Sequence, residues 1–499
     1  MRRRIRAQTE RPVNRAKRLI LLWQTLPQRF VYRLVHAGFS DVIQYGRKTC
    51  ALGWHLFVIR RSQPIRGRIR VPGDKSISHR AAILGAISAG TTTIRGYLAS
   101  QDCLNTLRCM RLLGADVSVV EEPGLAPGTC RVEIRGRGKA GLSEPPDILD
   151  VGNSGTGIRL ISGVLAGQPF FSVITGDEQI RRRPMRRIVE PLRMMGAEVW
   201  GRADGSLAPL AIRGGSLKGI RYRSPVASAQ VKSSLLLAGL FAEGETVVEE
   251  PAKSRDHTER MMPAFGAELR IEDNIVAVKG GALLTGRRLD VPGDFSSAAY
   301  FIVAALLLPD SELVVEGVGV NPTRTGLLDV LQEMGGNVRV ANVRDEAGEP
   351  VGDIVVRASR LRGVEIGGSL IPRLLDEIPI LAVAAAYAEG KTTVRDAQEL
   401  RVKETDRVKT TVEMIRALGG EAEETEDGLS VFGTGRLKGG VCDSYGDHRI
   451  AMSAAVAGLA ADSETRVLNT ECVATSFPGF GEMLRSLAPR SFDEPADTN

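Results

Sequence analysis

Leu112-Leu113-Gly114-Ala115-Asp116-Val117 closes an apolar helix pattern, turns, and opens a strand. The same turn returns as Met194-Met195-Gly196-Ala197-Glu198-Val199 and Ala264-Phe265-Gly266-Ala267-Glu268-Leu269. It appears twice more, as Glu333-Met334-Gly335-Gly336-Asn337-Val338 and Ala417-Leu418-Gly419-Gly420-Glu421-Ala422. A glycine just past a helix end is the usual left-handed terminator. These glycines lie 82, 70, 69 and 84 residues apart, too far for a solenoid repeat and suited to a unit of two helices and a small sheet. A sixth helix pattern, Gly481 to Leu487, lacks its strand, and residues 64–71 alternate like one. If they supply it, the two ends of the chain share a domain. Val-Pro-Gly-Asp stands at both 71–74 and 291–294, each time before a serine and an apolar helix pattern. These two turns are expected to be crossings between domains, with one domain at 75–290 and the other at 63–74 plus 291–488, followed by a tail at 489–499.

Charge is divided unevenly. Residues 1–62 hold 14 Lys or Arg and 2 Asp or Glu; the rest holds 52 basic and 57 acidic residues. The body is therefore mildly acidic, against a phosphate-backbone-binding surface, and no nucleic-acid partner is expected. The basic extension 1–62 is expected to be poorly ordered, with a misplaced coding start or a targeting or membrane-surface segment as alternatives. Its apolar runs, Leu19 to Trp23 and Ala51 to Ile59, fall short of the roughly 20 residues that span a bilayer. No membrane association of the body is expected. Six scattered cysteines without a Cys-x-x-Cys pair suggest buried thiols in a reducing, cytoplasmic setting.

Polar clusters interrupt the apolar patterns, most of them at helix starts. Pro72 to Arg80 offers a turn followed by Lys75, Ser76 and Arg80 at a helix N-terminus, a place that favours an anion. Gly152-Asn153-Ser154-Gly155-Thr156-Gly157-Ile158-Arg159 is a glycine-rich turn opening a helix that either cradles a phosphate or carboxylate or only caps the helix. Arg181-Arg182-Arg183-Pro184 is either a binding loop or a solvated basic one, and Ser228-Ala229-Gln230 either contacts sugar-like hydroxyls or forms an N-cap. Ser254 to Arg260 and Arg401 to Arg407 are dense in charge, which also fits solvated faces. Asp376 and Glu377 precede a strongly apolar helix, where a carboxylate pKa can rise enough for general-base work. Tyr445-Gly446-Asp447-His448-Arg449 again precedes an apolar helix. Walker, Rossmann, zinc and Gly-x-Ser-x-Gly patterns are not found, so no metal or cofactor is expected. Many cations, two candidate acid/base carboxylates and no cofactor motif suit a transferase acting on two small anionic substrates between two domains.

Taken together, 72–80, 152–156, Arg182 to Met185, 228–230, Leu375 to Pro379, 401–407, 446–449 and Thr475 to Pro478 resemble the 5-enolpyruvylshikimate-3-phosphate synthase family. The motifs occur in family order over about 63–488, and Ser-Ala-Gln with Ser254 to Glu259 looks like its class II bacterial branch. The resemblance implies an α/β (α+β) two-domain enolpyruvyltransferase fold, each domain three βαβαββ units in an inside-out α/β barrel. It implies transfer of enolpyruvyl from phosphoenolpyruvate to the 5-hydroxyl of shikimate 3-phosphate by a monomer. Shikimate 3-phosphate would be held by Lys75, Ser76, Arg80, Ser228, Ala229, Gln230, Arg255, Asp376 and Lys403. Phosphoenolpyruvate would be held by Lys75, Gly155, Arg183, Gln230, Arg407 and Arg449. Asp376, Glu404 and Lys75 would carry the proton transfers. Thr475 departs from the class I pattern, which has a lysine there, and puts one phosphate contact in doubt. The sister reaction on UDP-N-acetylglucosamine uses a loop cysteine, and 181–187 has none. Nucleic-acid binding through the extension is the remote alternative.

Overall fold

The computed structural model describes residues 56–494; the basic extension lies outside them as far as residue 55. Six four-stranded sheets recur with one plan, in which a parallel pair continues into an antiparallel hairpin. The five recurring turn glycines, Gly114, Gly196, Gly266, Gly335 and Gly419, all have φ between 80 and 107°, the left-handed region that lets each helix stop and its strand begin.

Two apolar cores form. One is built from residues 77–291 and the other from 57–71 and 295–492. At the centre of the first lie α1 (Lys75–Ile87), α3 (Gly155–Ala166) and α4 (Ala229–Gly239), with α2 (Gln101–Leu112) and α5 (His257–Ala264) beside them. At the centre of the second lie α6 (Phe295–Leu307), α7 (Ile378–Ala386) and α9 (His448–Ala460), flanked by α8 (Arg407–Ala417) and α10 (Phe480–Leu487). Twelve of the 13 residues of α6 are buried, as are all of α7. Helices that are apolar on every side belong inside, and here the sheets surround them.

The ends of the chain differ from expectation. The strand Arg66–Ile69 does not complete the sixth unit; it pairs in parallel with Glu312–Gly319 in the fourth. The sixth sheet is completed by Leu56–Ile59 and Phe492–Asp493, inside the stretches expected to be extension and tail. The reason is apolar: Phe57 and Ile59 are buried, and Phe57 packs edge-to-face on Phe492 and tilted against Phe480.

The two Val-Pro-Gly-Asp turns lie against each other. Gly73 and Gly293 form an antiparallel bridge, Asp74 N donates to Pro292 O, and Asp294 N donates to Pro72 O, each at 2.8 Å. Asp74 caps α1 and Asp294 caps α6. Asp294 also accepts from Lys75 N at 3.1 Å, which ties one crossing to the start of the other helix.

Candidate active site

The starts of α1, α3, α4, α6 and α9 all open on one cavity between the two cores. Each start is capped by its own side chain: Asp74, Ser154, Ser228, Asp294 and Asp447. Five helix N-termini facing one space give it a positive field before any side-chain charge is counted. Its wall carries eight Lys or Arg against five Asp or Glu. The excess suits ligands with several negative charges.

Twelve of the fourteen expected residues stand on this wall: Lys75, Ser76, Gly155, Arg183, Ser228, Ala229, Gln230, Arg255, Asp376, Lys403, Glu404 and Arg449. Arg80 and Arg407 do not; both are buried behind it. Arg80 donates to Ser76 O, to Thr258 Oγ1 and to Ser233 Oγ. Arg407 donates to Asp447 Oδ2 at 2.8 Å and to Asp376 Oδ1 at 3.3 Å, and lies 2.5 Å from Glu404 Oε2. It thus underpins both candidate acid/base carboxylates. Thr475 is turned to Cys472 O and His448 Nδ1, while the next residue, Ser476, reaches the wall.

The charges pair across the cleft. Arg255 forms an ion pair with Asp376, Arg183 lies 3.4 Å from Glu404, and Arg187 lies 2.8 Å from Glu399. In each pair the arginine comes from the first core's half and the acid from the second's. Lys75 Nζ sits 2.6 Å from the buried Asp102.

The electrostatics around Asp376 correct the expectation of a raised carboxylate. Burial pushes its pKa up, but Arg255, Arg449, Lys403 and Arg407 outweigh burial and hold it well below the usual range. Glu404 is likewise raised by burial and brought well below the usual range by Arg407, Arg183 and Lys75. Burial lowers the Lys75 pKa, yet Asp102 more than compensates and keeps the ammonium charged. Burial wins at Lys403, despite Asp376 and Glu399, and at His448, whose imidazole is pushed down to about 3 and is neutral at physiological pH.

Asp102, Arg187, Arg324, Tyr300 and Glu399 also face the cavity and escaped the sequence reading, while Arg159 ends the expected 152–159 cradle. Arg187 had a signal, since it continues the 181–183 basic run. Asp102 had only its place in the first turn of α2, and nothing local marks Arg324 or Tyr300.

Buried helices ringed by sheets, two cores and a cation-rich cavity fed by both define a two-domain α/β transferase for small anionic substrates. The model of the EPSP synthase (3-phosphoshikimate 1-carboxyvinyltransferase) family matches residues 59–484. The 3-phosphoshikimate 1-carboxyvinyltransferase of Pelotomaculum thermopropionicum is 56% identical over 427 residues, covering 85% of this chain and 97% of the relative. That of Geotalea uraniireducens is 55% identical over 431 residues, covering 86% and 99%. A solved EPSP synthase from Acinetobacter baumannii superposes with a TM-score of 0.78 at 43% identity, covering 88% of this chain and 99% of that one. The chain belongs to the EPSP synthase family and is a 3-phosphoshikimate 1-carboxyvinyltransferase of the shikimate pathway, on the route to chorismate and the aromatic amino acids. Among the described residues no helix is long and apolar enough to cross a membrane.

Proposed function

We propose that Asp376 accepts the proton of the shikimate 3-phosphate 5-hydroxyl as that oxygen attacks C2 of phosphoenolpyruvate. Glu404, with Lys75, delivers a proton to C3, and a tetrahedral ketal results. Loss of a proton from the new methyl group, taken by the same pair, then re-forms the C2–C3 double bond as the C2–O bond to phosphate breaks, giving the enol ether product and free phosphate. Arg183 and Arg449 neutralise phosphoenolpyruvate from the wall, and Lys75 its leaving oxygen. Arg407 acts from behind them by holding Glu404 and Asp376. Ser76, Ser228, Ala229, Gln230, Arg255 and Lys403 hold shikimate 3-phosphate, while Gly155 leaves room for phosphoenolpyruvate. Arg80 supports the start of α1 through Ser76 O. Fixed charge and proximity supply the main part of the rate.

The observation that carries this reading is the position of Asp376 and Glu404 on opposite arginines within one cavity of net positive charge. The half built from 56–74 plus 291–493 and the half built from 75–290 close over both substrates. The enzyme works as a cytoplasmic monomer without nucleic acid, in the manner of the class II branch. The test is phosphate release: it occurs with shikimate 3-phosphate and phosphoenolpyruvate together and disappears when either is omitted. Release from phosphoenolpyruvate alone contradicts the reading.

A further inference from the structure

Behind the wall, under Ser228 and Arg255, lies a fully buried charge triad that the reaction does not use. Lys232 of α4 sits 2.7 Å from Glu250 and 2.6 Å from Glu259 of α5. Glu250 follows the strand Glu245–Glu249 and does more than neutralise the lysine. Its Oε1 accepts from Ser228 N at 2.9 Å and from Ser254 Oγ at 2.7 Å. Its Oε2 lies 2.8 Å from the same hydroxyl and accepts from Ser254 N at 3.4 Å. One carboxylate therefore fastens two separate loops, and both loops reach the cavity. One opens α4 with Ser228, Ala229 and Gln230; the other carries Arg255.

A buried carboxylate is costly unless its lone pairs and its charge are met, and here both are. Its geometry is consequently stiff, and groups attached to it are fixed before a ligand arrives. Preset binding groups lose less freedom on association, which is how such a support strengthens binding. The two loops it joins both line the cavity and carry residues assigned above to the sugar phosphate; the arginines assigned to phosphoenolpyruvate do not touch it.

We propose that Glu250 is a positioning residue for shikimate 3-phosphate, holding the Ser228 helix start and the Arg255 loop in one register. This rests on the assignment of those loops to shikimate 3-phosphate made above. The triad also makes the test practicable. It has two carboxylates for one ammonium, so Glu250→Gln leaves the Lys232–Glu259 pair intact and removes a net buried charge.

The experiment uses the full chain with Glu250→Gln, Glu250→Ala and Ser228→Ala. It measures KM for each substrate, kcat, and the Kd of shikimate 3-phosphate alone by calorimetry. Loss of hydrogen bonds to a charged acceptor is expected to raise KM and Kd for shikimate 3-phosphate about tenfold in Glu250→Ala, and less in Glu250→Gln. KM for phosphoenolpyruvate and kcat are expected to stay within about twofold, since only ground-state positioning of one substrate is touched. Where Glu250→Ala does not fold, Glu250→Gln at wild-type melting temperature decides. The proposal is overturned if Ser228→Ala weakens shikimate 3-phosphate but neither Glu250 variant does. It is also overturned if all kinetic constants shift together. If Ser228→Ala leaves shikimate 3-phosphate binding unchanged, the loop assignment fails and takes the proposal with it.

Discussion

Asp376 is flanked by Arg255, Arg449, Lys403 and Arg407, and these cations hold its proton affinity low. In the proposed complex the phosphate and carboxylate groups of the substrates share those cations, which would make Asp376 a better proton acceptor there than in the free enzyme. The acid limb of kcat, which reports the complex, is expected at higher pH than that of kcat/KM, which reports the free enzyme. Coincident limbs would argue against Asp376 as the base. Asp376→Ala is expected to cut kcat by several powers of ten while retaining part of the shikimate 3-phosphate binding. The sign for stability follows the same shift. Asp376 is depressed in the fold, so its contribution is complete above the unfolded carboxylate value near 4 and is lost as pH falls through the folded one. At Gly155, an added Cβ would meet Arg183 Nη1 at 2.9 Å and Arg159 Nη1 at 3.1 Å, both of them ends of flexible side chains. Gly155→Ala is expected to fold normally and to raise KM for phosphoenolpyruvate through displaced arginine, with KM for shikimate 3-phosphate changed less. Steady-state kinetics separate the two. The motif residues themselves were legible because each lies in a local pattern. The depressed Asp376 was not, because its cations come from 255, 403, 407 and 449, and no local pattern reports what meets across a cleft.

Among elements, the recurring glycine turns were legible because a helix stop is a local event with a steric cause. The strands at the two ends of the described chain were not. Leu56–Ile59 is four residues, pairs with segments more than 400 residues away, and follows a basic stretch that dilutes its apolar signal. Its role is nonetheless central, since it lies between Thr465–Leu468 and Phe492–Asp493 in the sixth sheet. Removing residues 1–62 is therefore expected to lower the melting temperature sharply. Loss of buried Phe57 alone is worth about 3 to 5 kcal/mol by comparison with aromatic-to-alanine substitutions. Removing 1–55 keeps the strand and is expected to preserve it. Equal melting temperatures for the two truncations would show that the strand contributes nothing.

On the scale of the molecule, the chain passes between the halves at the Gly73 and Gly293 turns, which lie bridged to each other. The Gly73 site is the tighter one: an added Cβ would lie 1.9 Å from the backbone oxygen of Gly96. At Gly293 the nearest atom is a Val71 methyl at 3.0 Å. Gly73→Ala is expected to cost about 3 kcal/mol or more, at the upper end for overpacking, and to disturb closure, so that kcat falls with stability. Gly293→Ala is expected to cost about 1 kcal/mol at a site where one side chain can give way. Denaturant melts and kcat for both variants check the order. The repeats announced two sets of three units with crossings at 71–74 and 291–294, but not that the strand before the first crossing joins the fourth sheet rather than the sixth. Arg66–Ile69 belongs to the sheet of one half and leads into a helix of the other, and Arg288–Asp290 does the reverse.

The pairing of Val58 with Asp493 and of Ile59 with Phe492 has one more consequence. It leaves the two ends of the described chain as a β-hairpin without its turn. In terms of topology the molecule is a ring cut at one arbitrary point. A short turn from 494 to 56, with a new opening between residues 60 and 64, would yield a circular permutant whose sixth unit is continuous in sequence.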